Sequence, residues 1–219
     1  MTFSIVARDP RTGAFGVATA TAGPMVGVLV PHARSGVGAV ATQAMTNPYL
    51  GLDVLDGLGQ GAAASLEAAL ALDGERERRQ VVVVDARGGT AGWTGGRCEP
   101  FAAHHLGDGV AVAGNILSGP EVLEAMLAAY NEAEDTGLGK RLLAALTAGA
   151  SAGGDRRGVG SAALKVFETE AYATIDLRVD WAEDPMAELT QLFGMATTGD
   201  YAEFITMVPR RPVNSSPSS

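Results

Sequence analysis

The sequence predicts an α+β fold. It reads as a four-layer α-β-β-α sandwich of two stacked, mainly antiparallel sheets in one domain over residues 1–208. Three observations carry that expectation. Strand alternation begins directly after the initiator methionine, with Phe3, Ile5 and Ala7 on one side and Ser4, Val6 and Arg8 on the other. Most domains leave their first residues loose, so a chain that starts this way starts inside its sheet. Helical patterns then arrive in pairs, not singly between strands, which argues against a doubly wound parallel sheet. Finally, the apolar runs at 81–84 and 110–113 are continuous, as in strands covered on both faces.

Taken in order, Asp9-Pro10-Arg11-Thr12-Gly13 is a turn: Pro presets φ, Asp bonds back to the backbone, and Gly accepts a positive φ. Residues 14–20 alternate again, so 2–20 reads as a β-hairpin whose far end brings Thr19, Thr21 and Gly23 close to Thr2. Residues 26–30 are a short apolar run closed by Pro31, and 37–43 is a further strand. Gly36-Val37-Gly38-Ala39-Val40-Ala41 has dinucleotide-fingerprint spacing, but no helical pattern follows it, so that reading is rejected. The glycines there let layers or a ligand approach.

Residues 49–58 and 62–72 form one helix pair, the second stopping before Asp73-Gly74. The strands at 81–84 and 90–93 are joined by a Gly-rich turn, and 110–113 runs into Gly114-Asn115. Ser118-Gly119-Pro120-Glu121 reads as a capped helix start, leading into helices at 122–130 and 138–147. After the loop Gly153-Gly154-Asp155-Arg156-Arg157-Gly158 come strands at 161–167 and 172–179. Asp184-Pro185 opens the last helical region, and the apolar stripe on 186–208 is core or subunit interface. The Pro- and Ser-rich residues 209–219 are expected to be disordered.

Composition removes several function classes. A net charge of −9 opposes a nucleic-acid surface, which needs Lys and Arg against phosphate. A single cysteine, Cys98, excludes an internal disulfide and a Cys-rich zinc site. His104-His105 has no ligand spacing to acids and reads as surface or loop. No segment has the length and apolarity of a membrane span, and the N-terminus lacks a signal-peptide pattern. The expectation is a cytoplasmic protein without a membrane or nucleic-acid partner.

Thr2 is either the residue that follows a start codon or something more. Methionine is trimmed before small residues, and trimming here leaves Thr2 with a free α-amine. Such an amine titrates near ~7.7–8 and can act as the base for a hydroxyl nucleophile.

Several blocks together resemble one bacterial and archaeal family, the domain of unknown function 1028. They are Thr2-Phe3-Ser4-Ile5-Val6-Ala7-Arg8-Asp9-Pro10, Gly36-Val37-Gly38-Ala39-Val40-Ala41-Thr42-Gln43, Gly114-Asn115, the 153–158 loop, Arg178-Val179-Asp180 and Asp184-Pro185. The resemblance spans nearly all of residues 2–193. It implies a fold like the N-terminal nucleophile hydrolases, enzymes that cleave amides with an N-terminal Thr, Ser or Cys. Thr21-Ala22-Gly23-Pro24, Ala113 and Gly160 depart from the family pattern at positions where polar residues are common.

Given the resemblance, the expected function is a cofactor-independent amidohydrolase acting on a small-molecule amide. Thr2 is the nucleophile and Asn115 the oxyanion donor or, alternatively, a turn residue. Asp155 holds the Thr2 ammonium or a substrate amine and Arg156 a substrate carboxylate; the pair is otherwise an internal ion-pair staple. Gln43 hydrogen-bonds substrate from the neighbouring strand or, alternatively, is a buried structural amide; Thr21 and Gly23 complete the substrate side, and no metal is called for. The other expectation is a non-catalytic binding or assembly module on the same fold. In either case a homo-oligomer is expected.

Overall fold

The computed structural model describes residues 2–211; Met1 and residues 212–219, which hold most of the expected disordered tail, lie outside the described residues. Everything is laid against β1 (Thr2–Arg8), which pairs antiparallel along both edges. One neighbour is β2 (Phe15–Thr21), in register from Phe3↔Ala20 to Arg8↔Phe15. The turn between them is the expected one. The Asp9 carboxylate accepts the Arg11 N–H at 2.9 Å, and Gly13 has φ of 75°. The other neighbour is β8 (Val110–Asn115), in register from Thr2↔Asn115 to Ala7↔Val110.

With β7 (Ala103–Gly107), β9 (Ser161–Phe167) and β10 (Ile175–Val179), these strands form a six-stranded sheet in the order β10-β9-β2-β1-β8-β7. The second sheet has four strands, β3 (Pro31–Arg34), β4 (Gly38–Ala44), β5 (Arg79–Asp85) and β6 (Thr90–Thr94), in that order. Every pairing is antiparallel. Outside the small sheet lie α2 (Pro48–Gly57) and α3 (Ala62–Ala71). Outside the large sheet lie α4 (Glu121–Glu132), α5 (Leu138–Ser151) and α6 (Pro185–Thr197).

Strand alternation sorts the apolar residues into three cores. Phe3, Ile5 and Ala7 point outward to meet Leu123, Met126, Leu142 and Leu146 of α4 and α5. Val6 and Val17 point inward and meet Val82, Val84, Ala111 and Ala113 between the sheets. Val81 and Val83 point the other way, onto Leu50, Val54, Leu66 and Leu70 of the second helix pair. Burying each such large side chain is worth about 1.5–3 kcal/mol relative to leaving it exposed. A continuous valine run is thus the sequence of a strand with a sheet on one side and helices on the other.

Some details differ from the sequence expectation. Residues 26–30 wind into a single turn, α1 (Val26–Leu29), and Pro31 both ends that run and begins the edge strand β3. His104 and His105 lie on β7, the edge strand of the large sheet and not a loop; His105 is at the surface as expected, and His104 is half-buried. Ser118 does not cap α4: its hydroxyl donates to the Ala152 carbonyl at 3.3 Å because the 153–158 loop packs against it. Asp184 does cap α6, accepting the Ala187 N–H at 3.0 Å ahead of Pro185. The stripe on 186–208 divides. Leu189 is fully buried, with Leu192 and Phe193 packed beside it, whereas α7 (Gly199–Met207) buries no residue and exposes Tyr201, Phe204 and Met207. No helix among the described residues is long and apolar enough to cross a membrane.

Candidate active site

Thr2 occupies the first position of β1, and the strand's period turns its side chain into the gap between the sheets, on the same face as Ser4 and Val6. It is 5% exposed. Its hydroxyl donates to Thr21 Oγ1 at 3.2 Å, and its carbonyl accepts from Gln43 Nε2 at 3.1 Å. Asn115 stands directly opposite it across the β1–β8 pairing. The hairpin arithmetic that put Thr21 beside Thr2, and the strand at 37–43 that carries Gln43, therefore converge on one point.

A buried chain of amides and hydroxyls fills the space behind Thr2. Ser4 Oγ is 2.6 Å from Gln43 Oε1 and 2.8 Å from Thr19 Oγ1. An amide oxygen can only accept, so the single Ser4 proton goes to Gln43 and Thr19 supplies its own. The other end of Gln43 donates to Gln80 Oε1 at 2.7 Å, and the same oxygen accepts from Asn115 Nδ2 at 2.9 Å. Gln80 Nε2 faces three acceptors, Thr94 Oγ1 at 2.9 Å, the Ala103 carbonyl at 3.0 Å and the Gly114 carbonyl at 2.9 Å, which share its two protons. Thr94 Oγ1 in turn lies 2.9 Å from His104 Nδ1. Burial, and then the neighbouring His105, hold the His104 imidazole below its usual range. Among the described residues no buried side-chain polar atom is left without a partner, as a network in a low-dielectric gap requires.

Gln80 went unnamed in the sequence reading, yet it joins Gln43 of the small sheet to Asn115 of the large one. The available signal was a polar amide at the head of a buried apolar run. Asn115 has the mirror-image position, at the tail of one.

The 153–158 loop approaches from outside. The Asp155 carboxylate, 3% exposed as a residue, accepts the Ala22 N–H at 2.9 Å and the Arg157 N–H at 2.7 Å, with the Arg157 guanidinium 3.5 Å away. It fastens the loop to the end of β2, next to Thr21. The Gly23 carbonyl accepts from Ser161 Oγ at 2.6 Å, one step farther along the same edge. Arg156 is exposed, whereas Arg157 lines a pocket beside Asn115.

That pocket has a volume of about 260 Å³. Two of its wall residues, Ala44 and Ile116, have left-handed backbones with φ of 69° and 50°, each just where β4 or β8 ends. Non-glycine residues hold that conformation at a cost of about 1–2 kcal/mol, met by their surroundings. Next to Ala44, the Met45 carbonyl accepts from the Arg79 guanidinium, which is itself paired with Asp73 at 2.9 Å. The hydrogen bond from Arg79 holds the Asp73 carboxyl down at about 2, so this brace is charged throughout the neutral range. Cys98 also lines the pocket; burial pushes its thiol pKa up, so it is a protonated thiol and a weak nucleophile. A larger hollow of about 730 Å³ opens between α5 and α6 and shares no residue with the Thr2 network. Among the described residues there is no cluster of His, Cys, Asp and Glu able to hold a metal ion.

Residues 2–189 match the family described as "Family of unknown function (DUF1028)". The crystal structure of protein SPO2555 from Silicibacter pomeroyi, of the same family, is 35% identical. It superposes with a TM-score of 0.88 over 95% of this chain and 91% of that one. The ancestral β-subunit Anbu from Yersinia bercovieri aligns over 96% and 99% of the two chains at 9% identity and a TM-score of 0.43. A Gly-1 mutant of Anbu from Hyphomicrobium sp. strain MC1 aligns over 97% and 100% at 12% identity and 0.45. Among the curated proteins the sequence finds no match.

Proposed function

Because this chain belongs to DUF1028, a family of unknown function, we propose its activity from its own residues. It is a cofactor-independent amidohydrolase of the N-terminal nucleophile type, with Thr2 as nucleophile once Met1 has been removed. The observation that carries this reading is the setting of Thr2. It opens a central strand with its hydroxyl against Thr21, its carbonyl gripped by Gln43, and Asn115 of the pocket wall opposite.

In the proposed reaction the freed α-amine of Thr2 takes the hydroxyl proton as Oγ1 attacks the amide carbon. The C–N bond breaks, the amine returns the proton to the leaving nitrogen, and an ester to Thr2 remains. Water, deprotonated by the same amine, then cleaves that ester to a carboxylic acid and restores the hydroxyl. Asn115 Nδ2 carries two N–H groups. One goes to Gln80, and the second is the donor for the oxyanion of each tetrahedral intermediate. Thr21, Gly23 and Gln43 shape the floor. Asp155 keeps the loop against β2, and Arg156 offers a charge at the rim.

The test is intact mass of untagged protein before and after a β-lactone probe. Loss of Met1 and addition of one probe, abolished in Thr2→Ala, is the expected result. Protein that keeps Met1 and stays unlabelled would replace this reading with the second one, a non-catalytic small-molecule binding module. The observation that favours the second reading is that Thr2 is only 5% exposed, with its hydroxyl engaged by Thr21.

The working form is a homo-oligomer, supported by the exposed Tyr201, Phe204 and Met207 on a helix that buries nothing of its own. Light scattering on the Tyr201→Ser/Phe204→Ser variant should give a smaller particle than the parent. An identical mass would remove this face from consideration as the contact.

A further inference from the structure

We infer that the pocket beside Asn115 takes an amide that carries a free carboxylate, in the manner of an N-acyl amino acid, with Arg157 and Arg97 as its anion contacts and Arg78 reinforcing them. This names the substrate class of the amidohydrolase reading and rests on it.

The protein's net charge is −9, yet the residues lining this small pocket include three arginines and one acid, Glu99. The cations are incompletely neutralised from behind. Arg78 and Arg97 converge on the same oxygen of Glu75, at 3.2 and 3.5 Å, so one negative charge serves two positive ones. The Arg157 guanidinium is 3.5 Å from Asp155 Oδ1, an oxygen already taking the Arg157 backbone N–H at 2.7 Å. Its side chain is 56% exposed, so a ligand can reach it. A guanidinium matches a carboxylate with two parallel hydrogen bonds, a geometry that discriminates against a neutral amide of the same shape.

Asn115 belongs to this wall and to the Thr2 pairing alike. A small molecule that extends from this wall past Asn115 to Thr2, which itself lies outside the wall, would present its amide carbon to the hydroxyl and its carboxylate to the arginines. The pocket's volume of about 260 Å³ is below the ~300–1,000 Å³ of drug-sized sites, which keeps that molecule small.

Calorimetry on the Thr2→Ala protein, which binds without turning over and still permits methionine trimming, tests the inference. The probes are N-acetylglycine and its neutral counterpart N-acetylglycinamide. The carboxylate is expected to bind at least about tenfold more tightly. Arg97→Gln should reduce that preference several-fold at an unchanged melting temperature, and Arg157→Gln should reduce it as much, with some loss of melting temperature because the buried Asp155 loses its cation. Glu99→Gln, which removes the one negative wall charge, should raise it. Equal affinity for the two probes, or a preference that survives the Arg97→Gln/Arg157→Gln double variant, would overturn the inference. Neither result touches the lactone experiment. Conversely, carboxylate preference together with an unreactive Thr2 would retain the pocket assignment and discard the hydrolase.

Discussion

Replacing Gln80 with leucine is expected to cost about 3 kcal/mol or more in stability and to loosen both sides of the site together. The two side chains are similar in size, so the effect is chemical. Leucine removes the oxygen that accepts from Gln43 and Asn115, and the nitrogen that serves Thr94, Ala103 and Gly114. Gln80 is 0% exposed, so the abandoned groups do not simply turn to bulk water. An unsatisfied buried donor or acceptor costs about 1–3 kcal/mol, part of which local rearrangement recovers. Glutamate is no remedy, since its carboxylate would face the Ala103 and Gly114 carbonyls. Urea unfolding reads the result: the midpoint should fall with the slope unchanged. A midpoint equal to the parent's would mean that the bonds around Gln80 do not hold the two sheets in register. Where the variant still folds, labelling of Thr2 should slow, because Gln43 loses the partner that fixes its grip on the Thr2 carbonyl.

On the proposed mechanism, Asn115→Ala should slow lactone labelling by about 10²–10³-fold, the usual penalty for removing one oxyanion donor. A β-lactone opens through the same kind of tetrahedral anion as an amide, so its acylation rate reports the donor without knowledge of the natural substrate. Asn115 also donates to Gln80, and the melting temperature must be followed alongside. The backbone pairing of residue 115 with Thr2 does not depend on the side chain. Loss of rate with Met1 still removed would locate the defect in the chemistry and not in processing. A rate within about threefold of the parent would assign the oxyanion to another donor and leave Asn115 as a brace for Gln80.

The sandwich was legible because its strands differ chemically by layer. Alternation marks β1, continuous valine marks β5, and paired helical patterns announce helices stacked on one face. The proximity of Thr2 and Thr21 followed from counting residues around the Asp9 to Gly13 turn. β3 and β7 were not legible. Both lie at sheet edges, where one row of backbone groups is unpaired and no second neighbour imposes alternation. β7 moreover exposes His105 and Leu106 in succession. At the site, Gln43 and Asn115 could be named from their places at the ends of strands. Gln80 has an equivalent place but sits one residue before the apolar run that drew attention. Loops offer no period at all, so nothing in the Arg156-Arg157 pair says which side chain faces the pocket. Arg78 reaches the same wall from ahead of β5, and Arg97 and Cys98 from beyond β6, a meeting that only the tertiary arrangement creates.

The order of strands also bears on when the protein becomes whole. The small sheet is drawn from one uninterrupted stretch, β3 to β6, and its neighbours emerge from the ribosome one after another. The large sheet is scattered. β1 is made first and can close a hairpin with β2, but its other edge stays open until residues 110–115 are synthesised, and β2 waits longer still for β9. Contacts so far apart in sequence are the slow ones to form. Thr2 therefore acquires its surroundings late, since Asn115 opposite it lies more than a hundred residues along the chain.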